Sequence, residues 1–220
     1  MRNTLWTALA LAVLCPLSHA QTTLGAFTFN DNQFGDSLVE MDGGFYAPSN
    51  WLNTTNADPG NPGYLTGVNF ETGVANIPQG IGYRIFYNTP IVNGVGDDLA
   101  VVTARFSADD FGFAVSEDGI GWTPGVTISG GPAVATGVTK SYFYGGTGPH
   151  SAELFVQTLD LSNYGVLLGN SVVGVEINGI DELDLIRVAG LGVVPEPCSM
   201  VAFAGVGLAA LARRRASRRS

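Results

Sequence analysis

Apolar and polar residues alternate along most of this chain in short runs, broken repeatedly by glycine, proline, asparagine and aspartate. Alternation has a period of two, the repeat that sends successive side chains to opposite faces of a β-strand. Thr23–Asn30 (TLGAFTFN), Ser37–Met41 and Ile81–Thr89 (IGYRIFYNT) read this way. So do Leu99–Phe106, Asp110–Ser116, Val134–Tyr144, Ala152–Leu161, Ser171–Asn178 and Leu183–Ala189. Within Asp110–Ser116, Phe111, Phe113 and Val115 fall on one face. Asn93–Asp98 reads as a turn, and Glu117–Trp122 as a hairpin turn in which Asp118-Gly119 supplies positive φ angles. No segment between 21 and 193 keeps helical periodicity over three turns, and no internal repeat of fixed period appears. About nine short strands between turn signals predict an all-β fold, an antiparallel β-sandwich or jelly roll.

One stretch departs from this rhythm. Asp42–Gly63 is rich in loop formers, holds Trp51 and ends in the turn cluster Asp58-Pro59-Gly60-Asn61-Pro62-Gly63, with Tyr64 just beyond. An insertion of this size is expected at one end of a sandwich, where binding surfaces also gather.

The two ends follow a different pattern. Met1–Ala20 has a basic start at Arg2, an apolar block from Leu5 to Leu17, and Ser18-His19-Ala20 before Gln21. That is the form of a secretory signal peptide cleaved between Ala20 and Gln21, which implies the Sec export machinery. Cys15 follows Val13-Leu14, where a lipobox wants a small residue, so lipid attachment is not expected. At the other end, Cys198–Ala212 is uncharged and apolar, long enough for about 22 Å of helix. This is short against a hydrocarbon core of about 30 Å, yet arginines directly follow it, as they do on the cytoplasmic flank of a membrane segment. Pro195 and Pro197 keep the preceding backbone extended. The division expected is therefore 1–20 signal peptide, 21–193 exported sandwich and 194–220 sorting segment.

Charge and cysteine usage narrow the chemistry. Residues 21–194 carry four basic and eighteen acidic side chains, a balance of −14 against −9 for the whole chain. Nucleic acid and anionic lipid are poor partners for such a surface. Both cysteines, Cys15 and Cys198, lie in the end segments, so the folded part has no disulfide. His150 is the one histidine after the signal segment and reads as a loop residue. No Gly-x-Ser-x-Gly elbow, P-loop or His-Glu-x-x-His is present. Carboxylates remain. Asp97, Asp98, Asp118 and Asp184 fall in expected loops and form a candidate calcium set, since calcium takes six to eight oxygens. No other cofactor is expected.

Two resemblances add to this reading. Val194-Pro195-Glu196-Pro197, the apolar run and the basic end led by Arg213, Arg214 and Arg215 resemble the PEP-CTERM sorting signal of exported Gram-negative proteins. The resemblance implies transient inner-membrane insertion and recognition by an exosortase, a membrane-embedded cysteine transpeptidase. It further implies tail removal near the motif and a destination in the cell envelope or extracellular matrix, among exopolysaccharide and biofilm components. Asp110–Pro124 (DFGFAVSEDGIGWTP), Gly96–Val102 and Ser171–Leu191 resemble discoidin-like, or galactose-binding-like, jelly rolls. There Trp122 would be a core residue rather than a sugar-stacking platform. The expectation is a non-enzymatic structural component associated with exopolysaccharide. The alternatives are a carbohydrate-binding module using Trp51 and Tyr64, with or without the help of calcium, and a carboxylate-dependent glycan-processing enzyme.

Overall fold

The computed structural model describes residues 20–41, 70, 75–77, 79–105, 109–143, 149–180 and 183–192. Residues 1–19 of the expected signal peptide, the expected insertion Asp42–Gly63 with Trp51, Tyr64 just beyond it, and the expected sorting segment 194–220 all lie outside the described residues. The described strands are β1 (Gln21–Leu24), β2 (Phe27–Phe34), β3 (Ser37–Glu40), β4 (Ala75–Ile77), β5 (Gly82–Val92) and β6 (Leu99–Arg105). After them come β7 (Phe111–Ser116), β8 (Val126–Ile128), β9 (Val134–Phe143), β10 (Pro149–Leu159), β11 (Ser171–Gly179) and β12 (Leu183–Leu191).

The strands form two antiparallel sheets. The first runs β1-β2-β12-β6-β10-β9, with β4 added to β12, and the second runs β3-β5-β11-β7-β8. Between them lies one buried cluster that includes Ile85, Val101, Phe113, Val175, Ile177 and Val188. Each such side chain contributes about 1.5–3 kcal/mol by leaving water. A second buried cluster covers the other face of the first sheet, with Phe29, Phe34, Phe70, Val102, Leu154 and Ile186. Phe29, Phe34 and Phe70 meet there with ring centroids 5.2–5.8 Å apart.

Burial on both faces explains why β6 reads LAVVTAR, a nearly continuous apolar run. Leu99 and Val101 face the second sheet, while Ala100, Val102 and Ala104 face the second cluster. The first sheet rolls over this cluster. The β1–β2 turn reaches across to β9, and a Cβ added at Gly25 would strike the Thr136 carbonyl. Gly25 also has φ +58°, which admits glycine far better than other residues.

Several sequence expectations are corrected. Thr23–Asn30 is not one strand but a hairpin, because Gly25 turns the chain while the alternation runs on unbroken. His150 is not in a loop; it is the second residue of β10, opposite Tyr142, after Pro149, which a strand tolerates at its first position. Asp118 does not share the positive φ of its turn: among the described residues only glycines have it, here Gly119 at +78°. β4 and β8, three residues each, carry no pattern of their own.

Candidate functional site

The outward face of the second sheet is where aromatic and charged side chains converge. On β5, Tyr83 and Ile85 point into the core, so Arg84 and Phe86 point out. On β11, Val175 and Ile177 point in, and Gly174, Glu176 and Asn178 point out. Register sets Arg84 directly opposite Glu176 and Phe86 opposite Gly174. Arg84 Nε donates to Glu176 Oε2 at 3.0 Å, with 35% and 15% of the two side chains exposed. At that exposure the pair orients the guanidinium more than it stabilises the fold.

Trp122 lies on this face, half-buried and outside both core clusters. The core placement implied by the jelly-roll resemblance is thus corrected. The Arg84 guanidinium carbon is 4.5 Å from the centre of the indole ring, a cation–π contact. Phe86 meets the ring edge-on, with centroids 6.1 Å apart and planes at 75°. The indole reaches the sheet because position 174 is glycine: an added Cβ would sit 3.0 Å from the Trp122 ring and 3.3 Å from Phe86.

The loop that delivers Trp122 is tied to itself. Asp118 Oδ1 accepts from the Ile120 and Gly121 amides, each at 2.8 Å, and from Ser116 Oγ at 3.2 Å. Ser116 Oγ in turn accepts from the Gly119 amide at 2.8 Å. These bonds, led by the Ile120 amide, hold the Asp118 carboxyl below the usual carboxylate range. On the far side of Trp122, the Thr123 amide donates to the Val115 carbonyl at 2.9 Å, and the Val115 amide to Thr123 Oγ1 at 3.0 Å.

The face continues to the end of the sheet. Asn178 covers Gly112, where any added Cβ would overlap its amide group. Beyond it opens a groove of about 400 Å³ lined by Met41, Gln79, Gly82, Asn178 and Ile180. Met41, at the groove, is the last described residue before Phe70. The step from Gly174 through Glu176 to Asn178 is about 13 Å along one strand. Aromatic edge, ion pair and groove therefore lie in one line.

The four candidate calcium carboxylates are not brought together. Asp98 is buried at the β5–β6 turn, accepting from the Gly94 amide at 2.6 Å and the Leu161 amide at 3.1 Å. Asp97 beside it accepts from Thr158 Oγ1. Asp118 is engaged within its own loop, and Asp184 is buried near the start of β12, at the other end of the sandwich from Asp98. Among the described residues no three His, Cys, Asp or Glu side chains form a metal-ligand group. Two of these acidic residues, Asp98 and Asp118, close turns, a use of carboxylates that their sequence positions do not distinguish from metal binding. Ala20 is exposed and Gln21 opens β1.

No protein-family model matches the chain, and no curated protein matches it. Among solved structures it is similar to a xylan-binding module CBM15, with 12% identity over 72% of this chain and 98% of that one, at a TM-score of 0.30.

Proposed function

We propose that this chain is an exported, exosortase-processed jelly-roll protein of the cell envelope or extracellular matrix that holds exopolysaccharide without cleaving it. The observation that carries the glycan reading is Trp122, laid over Gly174 between Arg84 and Phe86 on a regular sheet face. Sugars offer apolar C–H faces ringed by hydroxyls, and an aromatic plane beside a charged pair and a side-chain amide answers both. The role is one of retention: the carboxylate on this face, Glu176, is engaged by Arg84.

Binding of the native exopolysaccharide, measured by calorimetry, tests this reading. Trp122→Ala is expected to weaken it about tenfold or more, or 1.4 kcal/mol, with the far-UV spectrum unchanged. A wild-type protein that binds no glycan overturns it. The sorting reading has its own test in the intact mass of the secreted protein. Loss of residues 1–20 and of everything beyond the 194–197 region is expected, and a mature species retaining Arg213–Arg215 contradicts it.

A further inference from the structure

The end of the sandwich opposite the groove has a distinct surface. Three large aliphatic side chains stand out in water there: Val95 at 97% exposure, Leu167 at 70% and Leu168 at 68%. They belong to two loops that are bonded together. The Asn93 amide donates to the Asn170 carbonyl at 2.8 Å, the Gly169 amide to the Asn93 carbonyl at 2.9 Å, and Asn93 Nδ2 to the Val166 carbonyl at 2.7 Å. The aliphatic tip is thus presented on a fixed platform. Water exposure of this kind is unfavourable unless something apolar covers it.

The chain also leaves the fold at this end. β12 finishes beside the same turn, with the Leu191 amide donating to the Asp98 carbonyl at 2.8 Å. Only residues 193–197 separate Gly192 from the apolar run that begins at Cys198. Fully extended, they span about 17 Å. If that run enters a bilayer, as the sorting reading of the previous subsection has it, the tether holds the tip against the membrane surface.

We infer that Val95, Leu167 and Leu168 form a docking tip that rests in the headgroup layer of the bilayer while the tail is attached. The partner is an uncharged, zwitterionic surface, because acidic groups belong to the same loops and disfavour anionic headgroups: Asp97 is two residues from Val95, Asp160 caps the turn that precedes Leu167, and Glu117 accepts from Asn170 Nδ2 at 3.0 Å. Docking sets the domain upright. β11 pairs with β5 from Ser171 at the tip to Asn178 at the groove, seven residue steps that lift the groove about 23 Å from the membrane, facing outward.

The test places the full chain, with Cys15→Ser and Cys198→Ser, in phosphatidylcholine vesicles and reads nitroxide labels at single introduced cysteines. Leu168→Cys reports on the tip, Gln79→Cys on the groove end and Ala209→Cys on the tail. The tip label is expected to be roughly fivefold less accessible to an aqueous relaxation agent than the groove label, with the tail label in the hydrocarbon. A buried tail with tip and groove labels equally accessible overturns the docking tip and leaves the sorting reading standing. A tail label in water overturns both. Leu168 is exposed, so its replacement leaves the fold intact.

Discussion

Asp118 and Tyr87 tie the fold to pH in opposite senses. Asp118 has its carboxyl pulled below the usual range by the amides it accepts, so the charged form is favoured in the folded loop. Its stabilisation is present at neutral pH and is lost as pH falls below the ordinary carboxylate value through the lowered one. The Trp122 indole N–H resonance is expected to broaden over that window; Asp118→Ala should bring the same change at pH 7, and Asp118→Asn, which keeps an acceptor, much less. Tyr87 has the opposite sense. Burial, then the charge of Asp36, pushes its hydroxyl well above 10.0, while it donates to the Val188 carbonyl at 3.3 Å across the sheets. The unfolded chain ionises from about pH 10 and the folded chain does not, so stability declines as pH rises past that point. Tyr87→Phe is expected to flatten the alkaline fall in melting temperature at a cost of about 1 kcal/mol near neutrality. A variant whose alkaline fall matches the wild type excludes Tyr87 as the cause.

At the scale of elements, two glycines decide what can lie against what. Gly174→Val is expected to lift Trp122 off β11, lowering glycan affinity about as much as Trp122→Ala while the core stays folded, because the added atoms face outward. Gly25→Ala is expected to destabilise by more than about 1 kcal/mol, through the positive φ and the collision with Thr136, and denaturant titration reads it directly. These contacts also mark the limit of what the pattern reveals. Eight of the strands expected from alternation appear near their expected bounds, since a sandwich strand writes its two faces into neighbouring residues. The β1–β2 turn hides inside an unbroken alternation, and β4 and β8 are specified by the strands they pair with. Trp122 reads as core by residue type; its outward seat depends on Gly174, Arg84 and Phe86, which no local window brings together. The groove joins Met41, Gln79 and Asn178 from three separate stretches, and no local pattern announces it.

For the molecule as a whole, stability rests on two apolar clusters on either side of the first sheet, and the candidate calcium carboxylates satisfy backbone amides or sit apart. The melting temperature is accordingly expected to stay within about 2 °C on adding EDTA, less than a change of 1 kcal/mol produces in a domain of this size. A larger drop would restore a metal to the account.

β12 lies inside the rolled sheet, with β2 and β4 on one side and β6 on the other, and the described chain leaves it at Leu191 and Gly192. Tension applied through that exit travels along the strand axis. The ladder bonds on both flanks are then sheared together rather than peeled singly. A domain pulled along β12 is therefore expected to yield late and abruptly, not by gradual peeling.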